Sequence, residues 1–388
     1  MIRRHYTGSN TINDLINDTF LMARFYKMFP EEYVYIVPEE FRDDPMDTLP
    51  EKVQMPWGMP YMSEAILDAA NKVYRLVYDE RYEFIQLWRE EQKKPEEQKF
   101  FPLGNEEEDV CLIRVTDSFE KGRPVALVVP GGSYHDVVMP NEGLDMADEL
   151  AKRGYAVAIL YYRVAPHRYP IPQMDLALAI KYLRTHAEGY GVQKDLLVVG
   201  FSAGGHLVAS EACYYQEIDD VLMKALEGKP SLYEQYQHVS AKADSVCLSY
   251  PVINCISDHH EDSYLNLSGG GDEMREKLSI DLNVSSDYPK TFVWSCDDDD
   301  LVPSSNAKRL YAALQEAGVE SMLQIYPTGN HGVAVGKGTS AEGWIDTMVA
   351  FMAGQHIRSA VLQCSDVANL SLLVGDTAEC AGRQDKKG

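Results

Sequence analysis

From position 110 onward, short unbroken apolar runs alternate with longer stretches in which apolar residues recur every three or four positions. The runs fall at 110–115, 125–129, 155–162, 196–199, 245–250, 291–295 and 321–326, and Val, Ile and Leu dominate several of them. Runs of this length match strands buried on both faces. The stretches at 141–153, 173–187, 205–215, 304–317 and 344–352 carry helical spacing. Strand and helix in turn predict a mostly parallel sheet flanked by helices, an α/β fold.

The first hundred residues read differently. Apolar positions Ile12, Leu15, Ile16, Phe20, Met22 and Phe25 predict a helix over 11–28, and 30–60, rich in prolines and acids, predicts an irregular connection. Ser63 is placed as an N-cap, and 64–91 reads as one long helix that Pro95 ends. The charge run 90–99 reads as a solvated helix end and linker. The expected organisation is a largely helical N-terminal extension over 1–109, an α/β domain over 110–354, and a tail over 355–388 with a disordered end. Two insertions are expected: an acidic, helix-prone one near 217–242, and a polar loop or small cap near 251–288.

Composition narrows the functions open to this chain. The net charge of -24 excludes nucleic acid and anionic membrane surfaces as partners and favours a small neutral substrate. No apolar run reaches the roughly 18 residues of a membrane span, and the N-terminus lacks the apolar stretch of a secretory leader. The seven cysteines are scattered with no C-x-x-C pair, which indicates neither a disulfide framework nor a zinc site and fits a reducing cytoplasm. Cys111, Cys247 and Cys296 fall in expected strands and read as small buried apolar residues. His259 and His260, with Glu261 and Asp262, form a loose metal-like cluster, but they sit in the expected polar cap, and neither metal nor cofactor is expected.

The strand at 196–199 runs straight into Gly200-Phe201-Ser202-Ala203-Gly204 and then a helix. Strand, G-x-S-x-G, helix is the context of a nucleophile elbow, in which Ser202 sits on a strained turn at the positive end of a helix dipole. Side chains at 200 and 204 would collide with the neighbouring strand and helix. An acyl-transfer serine needs a base, and the base needs a carboxylate to orient it. Of the histidines downstream, only His331 follows a strand directly, in the Gly-flanked loop PTGNHG. The acid should lie just past the strand 291–295, among Asp298, Asp299 and Asp300, between which spacing does not choose. An oxyanion hole needs converging backbone N–H groups: Ala203 supplies one, and the turn Pro130-Gly131-Gly132-Ser133 after 125–129 offers Gly132 and Ser133.

These pieces resemble an α/β-hydrolase of the esterase/lipase superfamily, similar to the bacterial acetyl esterases of the acetyl-xylan and feruloyl esterase-like branch. The resemblance covers roughly 110–354 and rests on PGGSY at 130–134, NEGLDMADEL at 141–150, LYYRVAPHRYPIPQMDLALAIKYLR at 160–184, GFSAGGHL at 200–207, DDLVP at 299–303 and GNHG at 329–332. In that family the carboxylate belongs to a D-x-x-V-P pattern, which implies Asp299. Ser133 stands where related enzymes carry a third glycine, and Pro130 where hormone-sensitive-lipase-like enzymes carry histidine. The resemblance implies hydrolysis of short-chain acyl esters, including those of acetylated carbohydrates. The extension 1–109 and the acidic segment 217–242 have no counterpart in it; a cover over the site, an interface between copies of the chain, or both are their expected uses. A prolyl-oligopeptidase-type peptidase would share the three residues but brings a β-propeller, which the helical pattern of 1–109 does not match. A non-catalytic binding protein on this fold would not need all three.

Overall fold

The computed structural model describes residues 4–25, 32–55, 58–91 and 104–355. Eight strands form one sheet: β1 Tyr82–Gln86, β2 Cys111–Val115, β3 Val125–Val129, β4 Ala156–Tyr161, β5 Leu196–Phe201, β6 Ser245–Ser249, β7 Lys290–Cys296 and β8 Ser321–Tyr326. Their order across the sheet is β1-β2-β4-β3-β5-β6-β7-β8. β1 and β2 pair antiparallel, as do β2 and β4; every later pairing is parallel. β3, β4 and β5 are buried along their whole length, as their unbroken apolar sequences require. The parallel register, Val125 opposite Leu196 and Leu197 opposite Ser245, brings the carboxyl ends of β3, β5, β6, β7 and β8 to one edge of the sheet. In open α/β sheets ligands bind at that edge.

The extension differs from its expected form. The long helix of 64–91 stops at Tyr78, where Asp79 turns extended, and residues 82–86 form β1 instead. The sequence YEFIQ has the aromatic and β-branched members that strands favour, although its buried positions Tyr82, Phe84 and Ile85 do not strictly alternate. β1 pairs with β2 from Tyr82 opposite Val115 to Gln86 opposite Cys111, so the sheet begins well ahead of residue 110. Ser63 is the first helical residue and not the N-cap; its Oγ donates to Met46 O at 2.5 Å. Thr11 does cap, in a reciprocal pair with Asp14, but the helix it opens is short and is followed by a second, Thr19–Phe25. The stretch 39–51 is irregular, with two 3-10 turns. Among its described residues, 1–109 carries helices, turns and β1, not the ranks of short strands a propeller needs.

One hydrophobic cluster joins extension and sheet, from Tyr6, Ile12 and Phe25 through Val128 and Phe201 to Trp344. Ion pairs reinforce the join: Lys72 with Asp145 at 2.7 Å, and Arg75 with Asp148 at 2.7 Å. The helix after β5 also exceeds expectation. It runs Ser202–Leu226, into the acidic insertion, with a break in helical geometry at Tyr214. A further helix, Pro230–Tyr236, completes that insertion, and the fully buried Lys181 donates to Tyr236 O at 3.0 Å. Residues 251–288, expected as a loop or small cap, carry helices Glu261–Ser268 and Arg275–Leu278. No helix among the described residues is long and apolar enough to cross a membrane. The tail expected to be disordered lies, from 356 on, outside the described residues, as does most of the 90–99 charge run.

Candidate active site

β5 delivers Ser202 to the first position of its helix with φ +50°, a left-handed conformation that a non-glycine residue adopts only under constraint. The constraint is packing. A Cβ at Gly200 would stand 2.6 Å from Gly204 O, and one at Gly204 would stand 2.3 Å from Pro130 O. The elbow is therefore pressed against the end of β3. Ser202 is 8% exposed, and its Oγ lies 2.9 Å from His331 Nε2. His331 Nδ1 lies 2.7 Å from Asp299 Oδ2. The three residues come from the ends of β5, β8 and β7.

Geometry now distinguishes the aspartates that spacing left equal. Asp299 is the buried one, with its Oδ1 accepting the N–H groups of Leu301 and Val302 at 3.0 and 2.8 Å. Asp298 is exposed and accepts the N–H groups of Gly329 and Asn330 at 2.9 and 2.7 Å, holding the loop in front of His331. Asp297 accepts the Ser304 hydroxyl and pairs with Lys308. Asp300 is exposed and makes no hydrogen bond or ion pair among the described residues.

The loop after β3 holds Gly132 and Ser133 in left-handed backbone. Gly132 has φ +124°, and Ser133 and Tyr134 have φ +57° and +55°, so a serine does occupy a left-handed position where a glycine is usual. Gly131 N–H is already engaged by Glu142, while Gly132 N–H and Ser133 N–H have no partner among the described residues. Ala203 is fully buried one residue past Ser202. The loop is held from three sides. Tyr162 O–H donates to Pro130 O at 2.7 Å, and Asn266 Nδ2, on the cap helix, donates to Ser133 O at 2.9 Å. Tyr134 reaches His206 Nδ1 at 2.8 Å, and His206 Nε2 reaches Leu278 O at 2.9 Å. A carbonyl can only accept, so His206 carries its proton on Nε2 and takes the Tyr134 hydroxyl proton at Nδ1. Burial pushes its pKa down to about 4 and keeps it neutral.

Several of these supporting residues were invisible from sequence. Asn141 and Glu142 fall there at the start of an expected helix and within NEGLDMADEL, with no role assigned, Tyr250 at a strand end, and Asn266 in a polar loop or small cap. The positive φ of Tyr250, +36°, marks it only once the backbone is known. His259 pairs with Glu261 at 2.7 Å, and no group of three metal-ligating side chains occurs among the described residues.

The strand order and the arrangement at its carboxyl edge define an α/β-hydrolase. The chain belongs to the BD-FAE family, whose sequence profile matches residues 113–314. It is 31% identical over 231 residues to endo-1,4-beta-xylanase B of Butyrivibrio fibrisolvens, covering 57% of this chain and 34% of that protein. It is 29% identical over 231 residues to an acetylxylan esterase of Xylanibacter ruminicola, covering 58% and 44%. The chain thus spans less than half the length of these two relatives. A solved acetyl ester-xyloside bifunctional hydrolase from Caldicellulosiruptor lactoaceticus superposes with a TM-score of 0.55 at 26% identity, covering 69% of this chain and 96% of that one.

Proposed function

We propose that this chain is a serine carboxylic-ester hydrolase acting on short-chain acyl esters, acetyl esters of carbohydrates foremost. The observation that carries the reading is the unbroken line from Ser202 Oγ through the His331 ring to Asp299. In a neutral imidazole one nitrogen donates and the other accepts. Asp299 can only accept at Nδ1, so Nε2 is left free to take the serine proton. Ser202 then attacks the ester carbonyl, and Asp299 stabilises the imidazolium that forms. The N–H groups of Ala203 and of Gly132 or Ser133 hold the developing oxyanion, each donor contributing ~3–4 kcal/mol. His331 returns the proton to the leaving alcohol, and water repeats the cycle on the acyl-enzyme. Every proton and charge in the cycle has a protein group to take it, so the chemistry calls on no metal or cofactor.

Acetylated sugar as substrate is supported by the similarity to an acetylxylan esterase and to an acetyl ester-xyloside hydrolase. A cytoplasmic site of action is supported by the free cysteines Cys111, Cys213, Cys247, Cys255 and Cys296. The test is hydrolysis of p-nitrophenyl acetate, butyrate and octanoate, followed by acetylated xylo-oligosaccharides, with wild type and Ser202→Ala. Wild type is expected to prefer acetate and to release acetate from the sugar. Ser202→Ala is expected to lose about 10⁴-fold or more in turnover. Undiminished hydrolysis in that variant would sink the reading.

A further inference from the structure

Glu142 is a buried carboxylate to which the three-residue chemistry gives no role. It is 3% exposed, in the π-helical turn Met139–Asp145 that follows the oxyanion loop. Its Oε2 accepts Gly131 N–H at 2.7 Å, and its Oε1 accepts the Tyr250 hydroxyl at 2.9 Å. The Tyr250 oxygen accepts Ala334 N–H at 3.0 Å, and its ring meets the His331 ring edge-on with centroids 4.8 Å apart. Beside it, Asn141 Nδ2 donates to Gly332 O at 3.0 Å. Two neighbouring side chains thus join the loop bearing the oxyanion donors to the loop bearing the base.

The hydrogen-bond inventory suits a charged Glu142. Tyr250 already takes the Ala334 proton on its oxygen, so its own proton needs an acceptor, and Glu142 Oε1 is that acceptor. Gly131 N–H fills Oε2. The ionised carboxylate accepts at both oxygens and leaves no O–H proton in need of a partner, so these two bonds suit the charged form. The charge lies close to the reacting atoms. A Cβ at Gly131 would stand 2.7 Å from Phe201 O, 2.9 Å from Ser202 Cβ and 3.0 Å from Glu142 Oε2, so only a glycine backbone passes between nucleophile and carboxylate. Burial raises the Glu142 pKa above the usual carboxylate range, and Gly131 N–H, His331 and Tyr250 offset only part of that rise. The titratable groups facing it are His331 from the histidine loop, Tyr250 beyond β6 and Tyr162 beyond β4. Burial holds both phenols neutral. One turn further along, Asp145 is paired with Lys72.

We propose that Glu142 is a positioning residue for ester hydrolysis, a fixed charge that sets the oxyanion loop against the histidine loop and steadies protonated His331. The proposal rests on the function argued above. Its test compares Glu142→Gln and Tyr250→Phe with wild type. Glu142→Gln keeps the shape and removes the charge. Its kcat on p-nitrophenyl acetate is expected to fall about 10- to 100-fold with KM within about threefold, the signature of an interaction made in the transition state. The His331 ring is followed by NMR, its signal assigned by its loss in His331→Gln. Its titration is expected to move to lower pH in Glu142→Gln, because a nearby negative charge favours the imidazolium. Tyr250→Phe keeps the charge and cuts the link to Ala334, so kcat is expected to fall less. A folded Glu142→Gln, by circular dichroism, with wild-type kcat and an unmoved His331 titration overturns the proposal. If that variant does not fold, wild-type kcat in Tyr250→Phe overturns it. Hydrolysis that survives Ser202→Ala would overturn the functional reading instead, and the His331 titration then judges Glu142 alone, an unmoved value counting against it.

Discussion

Four consecutive aspartates, Asp297 to Asp300, share one chemistry and differ only in where the turn after β7 points them. Asp299 faces the imidazole, Asp298 the amides ahead of it, Asp297 the next helix, and Asp300 the solvent. Their asparagine variants should therefore form a ladder. Asp299→Asn is expected to lower kcat on p-nitrophenyl acetate by ~10⁴-fold, because an amide can favour the wrong imidazole tautomer. Asp298→Asn weakens two charge-assisted bonds to the loop and is expected to cost about 10-fold. Asp300→Asn should leave kcat unchanged. Equal losses at 298 and 299 would remove the distinction drawn here. His206 gives a second residue-scale expectation, in stability. Unfolded, it takes up a proton near pH 6.5; folded, only near 4. Its contribution is thus fully present above pH 6.5 and declines as pH falls toward 4, by ~3 kcal/mol in all. Urea unfolding of wild type between pH 8 and 4.5 should show that decline, and His206→Gln should flatten it. Parallel curves for the two proteins would refute the assignment.

At the scale of elements, legibility depended on whether a signal was local. The elbow was readable because strand, glycines, serine and helix are contiguous, and His331 because a strand and two glycines flank it. β1 was not. Phe84, Ile85, Leu87 and Trp88 continue a helical spacing from the preceding helix and do not alternate, and only pairing with β2 decides for a strand. The same non-local pairing makes β1 a test of how far the extension belongs to the sheet. Removing residues 1–78 leaves β1 in place but strips the helix Ser63–Tyr78 from the shared core. Removing 1–87 also exposes the edge of β2, an unpaired strand edge that invites association. Both truncations are expected to lose protein to the pellet on centrifugation, the second more completely. Full recovery of the shorter chain in the supernatant, with activity intact, would show that the sheet needs neither element.

At the scale of the whole molecule, the fold class was legible because it depends on a period repeated many times along the chain. The supporting residues were not, because each depends on one pairing. Glu142 meets Tyr250 across 108 positions and Asn141 meets Gly332 across 191. Nothing in a linear pattern marks an acid or an amide as facing so distant a partner. The loop 329–334 collects the result. Asp298 binds its first two amides, Asn141 the carbonyl after His331, Tyr250 the amide of Ala334, and Trp344 the carbonyl of Ala334. This segment lacks regular structure, yet four distant parts of the chain have removed its freedom. Ordering a backbone costs ~1–2 kcal/mol per residue, or ~6–12 kcal/mol for six. Here that entropy is surrendered once, as the chain folds, and His331 already stands in one place before any other molecule reaches it.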